Sequence, residues 1–165
     1  TNRALLVAAL ADGASVLRGA LHSDDTLYMA QALDALGVAV ESDEATASFS
    51  VTGAGGTFST PEAELFVGNS GTTMRFLTAA LPLGHGRYRI DGVPRMRLRP
   101  IAPLIAALND LGAGAVGGVA AYLLGQLGTP VRTFPAESAA GVHSIFTSSN
   151  CPVAKTVLMA RWISR

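Results

Sequence analysis

The groups in this chain best suited to chemistry are small polar residues and glycines set just ahead of arginines. The longest such run is Gly68-Asn69-Ser70-Gly71-Thr72-Thr73-Met74-Arg75, and Thr1-Asn2-Arg3 is a shorter one. Each opens an apolar helical pattern, so each brings unpaired backbone N–H groups and the positive end of a helix dipole beside an arginine, a combination that attracts anions. Gly71 has no Cβ to stand between those amides and a ligand. An ordinary capped helix behind a glycine turn would use the same residues, and chemistry alone leaves both readings open.

A second cluster is Asp91-Gly92-Val93-Pro94-Arg95-Met96-Arg97-Leu98-Arg99-Pro100. Read as an extended segment leaving a strand, it puts Arg95, Arg97 and Arg99 on one side. Three guanidinium groups so placed repel one another unless an anion or acidic partners face them, which predicts a phosphate or carboxylate site. The alternative is a solvated loop with one arginine in a salt bridge.

Composition narrows the function classes. Twelve Lys plus Arg balance twelve Asp plus Glu, so no general field draws nucleic acid or an anionic membrane, and any anion must be held locally. Lys155 is the only lysine, and the arginines carry a rigid fork that matches carboxylate and phosphate. Hydrophobic residues make up 49% of the 165 and charged ones 15%, well under the roughly 25% charged of average soluble proteins. That predicts a buried α/β core with apolar surface left for a partner, either a complementary lobe or a second copy. The lone Cys151 precludes an internal disulfide and fits a reducing cytoplasm as a buried structural thiol. No apolar run approaches the ~18 residues of a membrane span. The chain opens at Thr1 directly in a helical pattern, so the expectation is a piece of something longer.

These residues need elements to hold them. Leu5, Leu6, Ala9 and Leu10 share a face of a helix over 2–11, and 14–21 reads as a short strand. Ser23 caps a helix that Asp24 and Asp25 open, with Leu27, Ala30, Leu33 and Leu36 as its stripe and Gly37 as its stop. Strands follow near 39–41 and 48–52, a turn over 53–60, and a brief strand at 65–67. The order then repeats with a helix over 74–83, a strand at 87–91, a helix over 100–111, and strands near 115–119 and 131–134 to complete the unit. Leu6-Val7-Ala8-Ala9-Leu10 matches Leu77-Thr78-Ala79-Ala80-Leu81, and Leu33-Asp34-Ala35-Leu36-Gly37 resembles Leu108-Asn109-Asp110-Leu111-Gly112. Two such copies bury their helices poorly alone, which predicts a third copy or a partner.

Thr1-Asn2-Arg3-Ala4-Leu5-Leu6, Ser23-Asp24-Asp25, Gly68 to Arg75 and Asp91 to Pro100 stand in the order and spacing found in EPSP synthases, and the chain resembles that family from Thr1 to about Ala113. The resemblance implies an α/β fold, one lobe of an inside-out α/β barrel built from repeated βαβαββ-type units, two of them visible here. It divides the chain into a motif-bearing part, 1–113, and a weakly matching continuation of the same lobe, 114–165. The reaction implied is transfer of the enolpyruvyl group of phosphoenolpyruvate to the 5-hydroxyl of shikimate 3-phosphate, with no metal or organic cofactor and with glyphosate as an inhibitor. By position, Arg3 resembles a shikimate 3-phosphate ligand, and Asn69, Gly71 and Arg95 resemble the phosphoenolpyruvate side, with Thr72 and Arg75 as further candidates. Asp24 and Asp25 read as a helix start.

The chain also departs from the family. A Ser-Lys pair precedes the Thr-Asn-Arg phrase in EPSP synthases, and the family's acid/base carboxylates belong to the other half of a longer protein; neither is in this sequence, so the catalytic residues stay unassigned. Beyond Ala113, Ser148-Ser149-Asn150 echoes a Ser-Ser-Gln substrate loop, which makes Ser148 and Ser149 candidates for the 3-phosphate; a chance Ser-Ser pair in a polar loop reads equally well. Lys155, His22, His85 and His143 share no motif. Two other readings remain at this level: a non-catalytic anion-binding module or pseudo-subunit derived from the enzyme, and a transferase acting on the nucleotide-sugar acceptor of a sister family.

Overall fold

A computed structural model of the chain describes residues 1–116 and, beyond them, the backbone of three short strands at 123–124, 132–133 and 144–147. Ser148, Ser149, Cys151, Lys155 and His143 lie outside the described residues.

The first unit runs α1 (Asn2–Leu10), β1 (Asp12–Arg18), α2 (Asp24–Ala35), β2 (Ala39–Asp43) and β3 (Ser48–Ala54). The second runs β4 (Glu62–Phe66), α3 (Gly71–Ala80), β5 (Arg87–Asp91), α4 (Pro94–Arg97), α5 (Ala102–Asp110), β6 (Gly114–Val116), a small hairpin of β7 (Leu123–Leu124) and β8 (Arg132–Thr133), and β9 (Ser144–Thr147). In the first sheet the order is β1-β3-β2, and in the second β4-β5-β9-β6. Setting β5, β9 and β6 against β1, β3 and β2 gives the same order with the same antiparallel pairings. The internal repeat legible in the sequence is therefore a repeat of topology, and β4, parallel to β5, has no counterpart in the first sheet.

The expected completing strand at 131–134 is corrected by this pairing. A two-residue ladder ties β8 only to β7, whereas β9 pairs with β5 over four residues and with β6 over three. Filling the gap between two strands satisfies backbone groups on both edges, which a two-residue edge ladder does not.

Helices lie between the sheets. On one side α1 packs against β3 and β1, while α2 touches β2 of the first sheet and β4 of the second. One continuous core joins the units through Leu5, Met29, Leu33, Phe49, Leu77 and Ile90. Alanines on the inner faces, Ala8, Ala9, Ala30, Ala32 and Ala80, are buried and keep the helices close. The expected stripe on α2 is shifted: Met29, Ala30, Leu33 and Leu36 are buried and Leu27 is exposed. Among the described residues no helix is long and apolar enough to cross a membrane.

Candidate functional site

Three helix starts meet at one end of the molecule. At α3, the Ser70 hydroxyl accepts from the Thr73 N–H at 3.3 Å and donates to the Thr73 hydroxyl at 2.7 Å, an N-cap made by a residue 1% exposed. The Thr73 hydroxyl donates in turn to the Asp25 carbonyl of α2 at 3.1 Å. From α1, the Asn2 amide donates to the hydroxyls of Thr72 and Thr73, 3.1 Å each, so the two repeats are stitched together at their helix starts. The Asn2 Oδ1 is shut off from solvent with no donor facing it among the described residues.

Ahead of α3 the loop is shaped by two close approaches. Gly68 takes a left-handed conformation, φ 54°, and a Cβ there would collide with the Tyr28 ring, which leans over it from α2 and meets Phe66 edge-on at 5.8 Å. Gly71 lies beneath two guanidinium groups: a Cβ on it would stand 2.5 Å from Nη1 of Arg99 and 3.3 Å from Nη1 of Arg75. Arg99 donates to Oδ1 of Asn69 at 3.1 Å. Arg75 donates to the carbonyls of Pro100 at 3.2 Å and of Gly71 at 3.5 Å, tying the arginine loop to the helix.

The three arginines do not share one side. Pro94 opens a single helical turn, its fixed φ suiting the first position, and Met96, 1% exposed, anchors that turn in the core. Residues two apart on a helix diverge, and here they take separate partners. Arg97 turns back to make a bidentate pair with Asp91, 3.0 and 2.9 Å, while Asp91 also accepts from the Gly92 N–H at 2.7 Å. Arg99 goes to Asn69, and Arg95 is exposed with no hydrogen bond among the described residues. The expected extended cluster is thus corrected to one structural arginine, one at the α3 start and one exposed.

The structure therefore brings Asn69, Gly71, Thr72 and Arg75 together, and adds Asn2 and Arg99 to them. Arg3, exposed on α1, follows directly on Asn2. Arg95 sits on the turn whose cap, Val93, donates to the Gly68 carbonyl at 3.0 Å. Neither Arg75 nor Arg99 has a carboxylate partner among the described residues, where the ion pairs are Arg89 with Glu64 and Arg97 with Asp91. Two guanidinium groups without a carboxylate partner among the described residues thus lie over a positive helix end, an arrangement that favours an anion.

A compact α/β repeat with arginines gathered over its helix starts defines the class. The family model described as EPSP synthase (3-phosphoshikimate 1-carboxyvinyltransferase) matches residues 1–160, and the chain belongs to this family. It is 50% identical over 113 residues to the 3-phosphoshikimate 1-carboxyvinyltransferase of Nostoc punctiforme and 55% identical over 112 residues to that of Rhizobium etli, covering 68% of this chain in both cases. The fold is similar to that of a solved EPSP synthase from Acinetobacter baumannii, with a TM-score of 0.69 and 25% identity over 90% of this chain. The chain spans 26% of the length of those two curated relatives and 29% of the solved structure.

Proposed function

We propose that this chain provides one substrate-holding face of a 3-phosphoshikimate 1-carboxyvinyltransferase, the enzyme that moves the enolpyruvyl group of phosphoenolpyruvate to the 5-hydroxyl of shikimate 3-phosphate and releases phosphate. The observation that carries this reading is the start of α3, where Gly71 lies under the guanidinium groups of Arg75 and Arg99 and no carboxylate pairs with either among the described residues. In this reading Asn69, Gly71, Thr72, Arg75 and Arg95 serve phosphoenolpyruvate, and Arg3, with Ser148 and Ser149 of the 114–165 continuation, serves the 3-phosphate. The names of the similar proteins favour this enzyme over a non-catalytic binding module. A cytoplasmic setting belongs to the same reading, supported by a single cysteine.

Fixed donors at a helix start cost no reorganisation when negative charge develops, and a lobe closing over two anions excludes water and brings the hydroxyl to the enol ether carbon. Titration of the chain with phosphoenolpyruvate and with shikimate 3-phosphate, followed by amide spectra, tests the binding half. Shifts centred on Asn69 to Arg75 are expected, and no response to either ligand rejects the reading. Release of phosphate from the two substrates, with and without a complementary lobe, tests turnover. Glyphosate should compete at Gly71: Gly71→Ala should weaken it more than shikimate 3-phosphate, because the new Cβ must push the Arg99 guanidinium aside. Equal losses for the two would remove glyphosate from this place.

A further inference from the structure

Asn69 is a side chain with two ends of opposite character, a carbonyl oxygen that accepts and an NH2 that donates. Only one of those ends suits an anion. Arg99 settles which end is presented, because a guanidinium has donors and no acceptor: its Nη2 meets Oδ1 of Asn69 at 3.1 Å, and the amide nitrogen of Asn69 is left without a partner among the described residues. The arginine is itself held. Its backbone N–H donates to the Met96 carbonyl at 3.0 Å, and the next residue, Pro100, accepts from Arg75 at 3.2 Å. Its other terminal nitrogen, Nη1, lies over Gly71.

We infer that Arg99 is a positioning residue of the phosphoenolpyruvate side, fixing the Asn69 amide so that its NH2 end, and not its carbonyl oxygen, is presented to the anion. This rests on the reading of the α3 start as that side. Without Arg99 the amide is free to rotate, and half of its orientations offer a lone pair to a negative oxygen. The role is therefore one of polarity, exerted through Asn69, in addition to the charge that Arg99 adds over Gly71.

The test compares the unaltered chain with Arg99→Met, Asn69→Ala and the double variant, titrated calorimetrically with phosphoenolpyruvate and separately with shikimate 3-phosphate. Arg99→Met keeps an unbranched apolar stem to fill the space, and Arg99→Lys serves as a second variant that keeps the charge without the fork. Loss of Arg99 should weaken phosphoenolpyruvate by about tenfold, the size of one charge-assisted hydrogen bond, with shikimate 3-phosphate changed less than about twofold. If Arg99 acts through Asn69, the two losses should be non-additive: the double variant should lose clearly less than the product of the two single losses, what remains beyond Asn69→Ala being the charge over Gly71. In ligand-free spectra the Asn69 side-chain amide pair should move in both Arg99 variants. Losses that multiply in the double variant, equal weakening of both ligands, or undiminished phosphoenolpyruvate affinity in Arg99→Met would each overturn the role of Arg99 while leaving the reading of the site intact. An unaltered chain that binds neither ligand would overturn both.

Discussion

The starts of α2 and α3 lie side by side and carry the same helix dipole, yet they are finished in opposite ways. At α2, Asp24 and Asp25 fill the first turn, and the Thr26 hydroxyl accepts from the Ser23 N–H and donates to the Ser23 carbonyl, 2.9 Å each. That end supplies its own negative charge and closes on itself. At α3 there is a cap, Ser70, but no acid in the first turn, and two guanidinium groups are added to an end already positive. The one carboxylate touching it among the described residues is borrowed: Asp25 of α2, 3.4 Å from the Thr72 hydroxyl. A helix start that completes itself is a structural joint, and one that leaves its charge unmet is open to the anion proposed for it.

Changes that make α3 resemble α2 should erase the difference. Gly71→Asp puts a carboxylate under Arg75 and Arg99, and phosphoenolpyruvate affinity should fall by about a hundredfold, the equivalent of losing about 3 kcal/mol of charge-assisted contacts; retention of affinity in a calorimetric titration would mean the ligand binds elsewhere. Next in size come the two caps. Ser70→Ala removes a buried cap at a cost of about 1–2 kcal/mol, and Thr26→Val at α2 costs about 1 kcal/mol, both read as lowered melting midpoints. Only the first should also weaken anion binding, and a parallel loss in Thr26→Val would show the two starts to be one unit. Asp24→Asn removes an exposed first-turn charge from α2, costing about 0.3–1 kcal/mol at low salt, with the loss shrinking as salt is added.

The smallest effect is a control outside both starts. The Thr46 hydroxyl, and less strongly its N–H, hold the Asp43 carboxyl below its ordinary value of 3.8. Stability from a lowered carboxyl is present above that ordinary value and is lost as pH falls through the lower, folded one. Asp43→Asn should flatten the acid limb of a pH–stability profile slightly and leave anion binding untouched.

Much of this was legible in the sequence because it depends on short-range patterns. The apolar face of 2–11, the Ser-Asp-Asp start at 23–25 and the Gly37 and Gly112 stops are local signals, and the structure places elements at each. The internal match between 6–10 and 77–81 reported a true repeat. What the sequence did not disclose depends on tertiary context. Arg99 reaches Asn69 because a proline-started turn with a buried Met96 redirects the chain, and Pro94 was the signal for that turn. Leu27 and Leu111, apolar at helical spacing, stay 48% and 51% exposed, since which stripe is buried depends on what packs against it. The strand over 144–147 is β-branched and aromatic in composition, Ser-Ile-Phe-Thr, but its place between β5 and β6 is a long-range pairing that no local pattern encodes.

The Asn2 bridge has a consequence for inheritance. One amide from the first repeat satisfies two hydroxyls of the second, Thr72 and Thr73, at the point where both helices begin. Positions 2, 72 and 73 are therefore tied across the repeat: a change at Asn2 takes a donor from both hydroxyls at once. If the two units arose by doubling of one ancestor, this contact is the kind that could form only afterwards, between copies already free to differ. It would have turned two tolerated duplicates into halves that depend on each other.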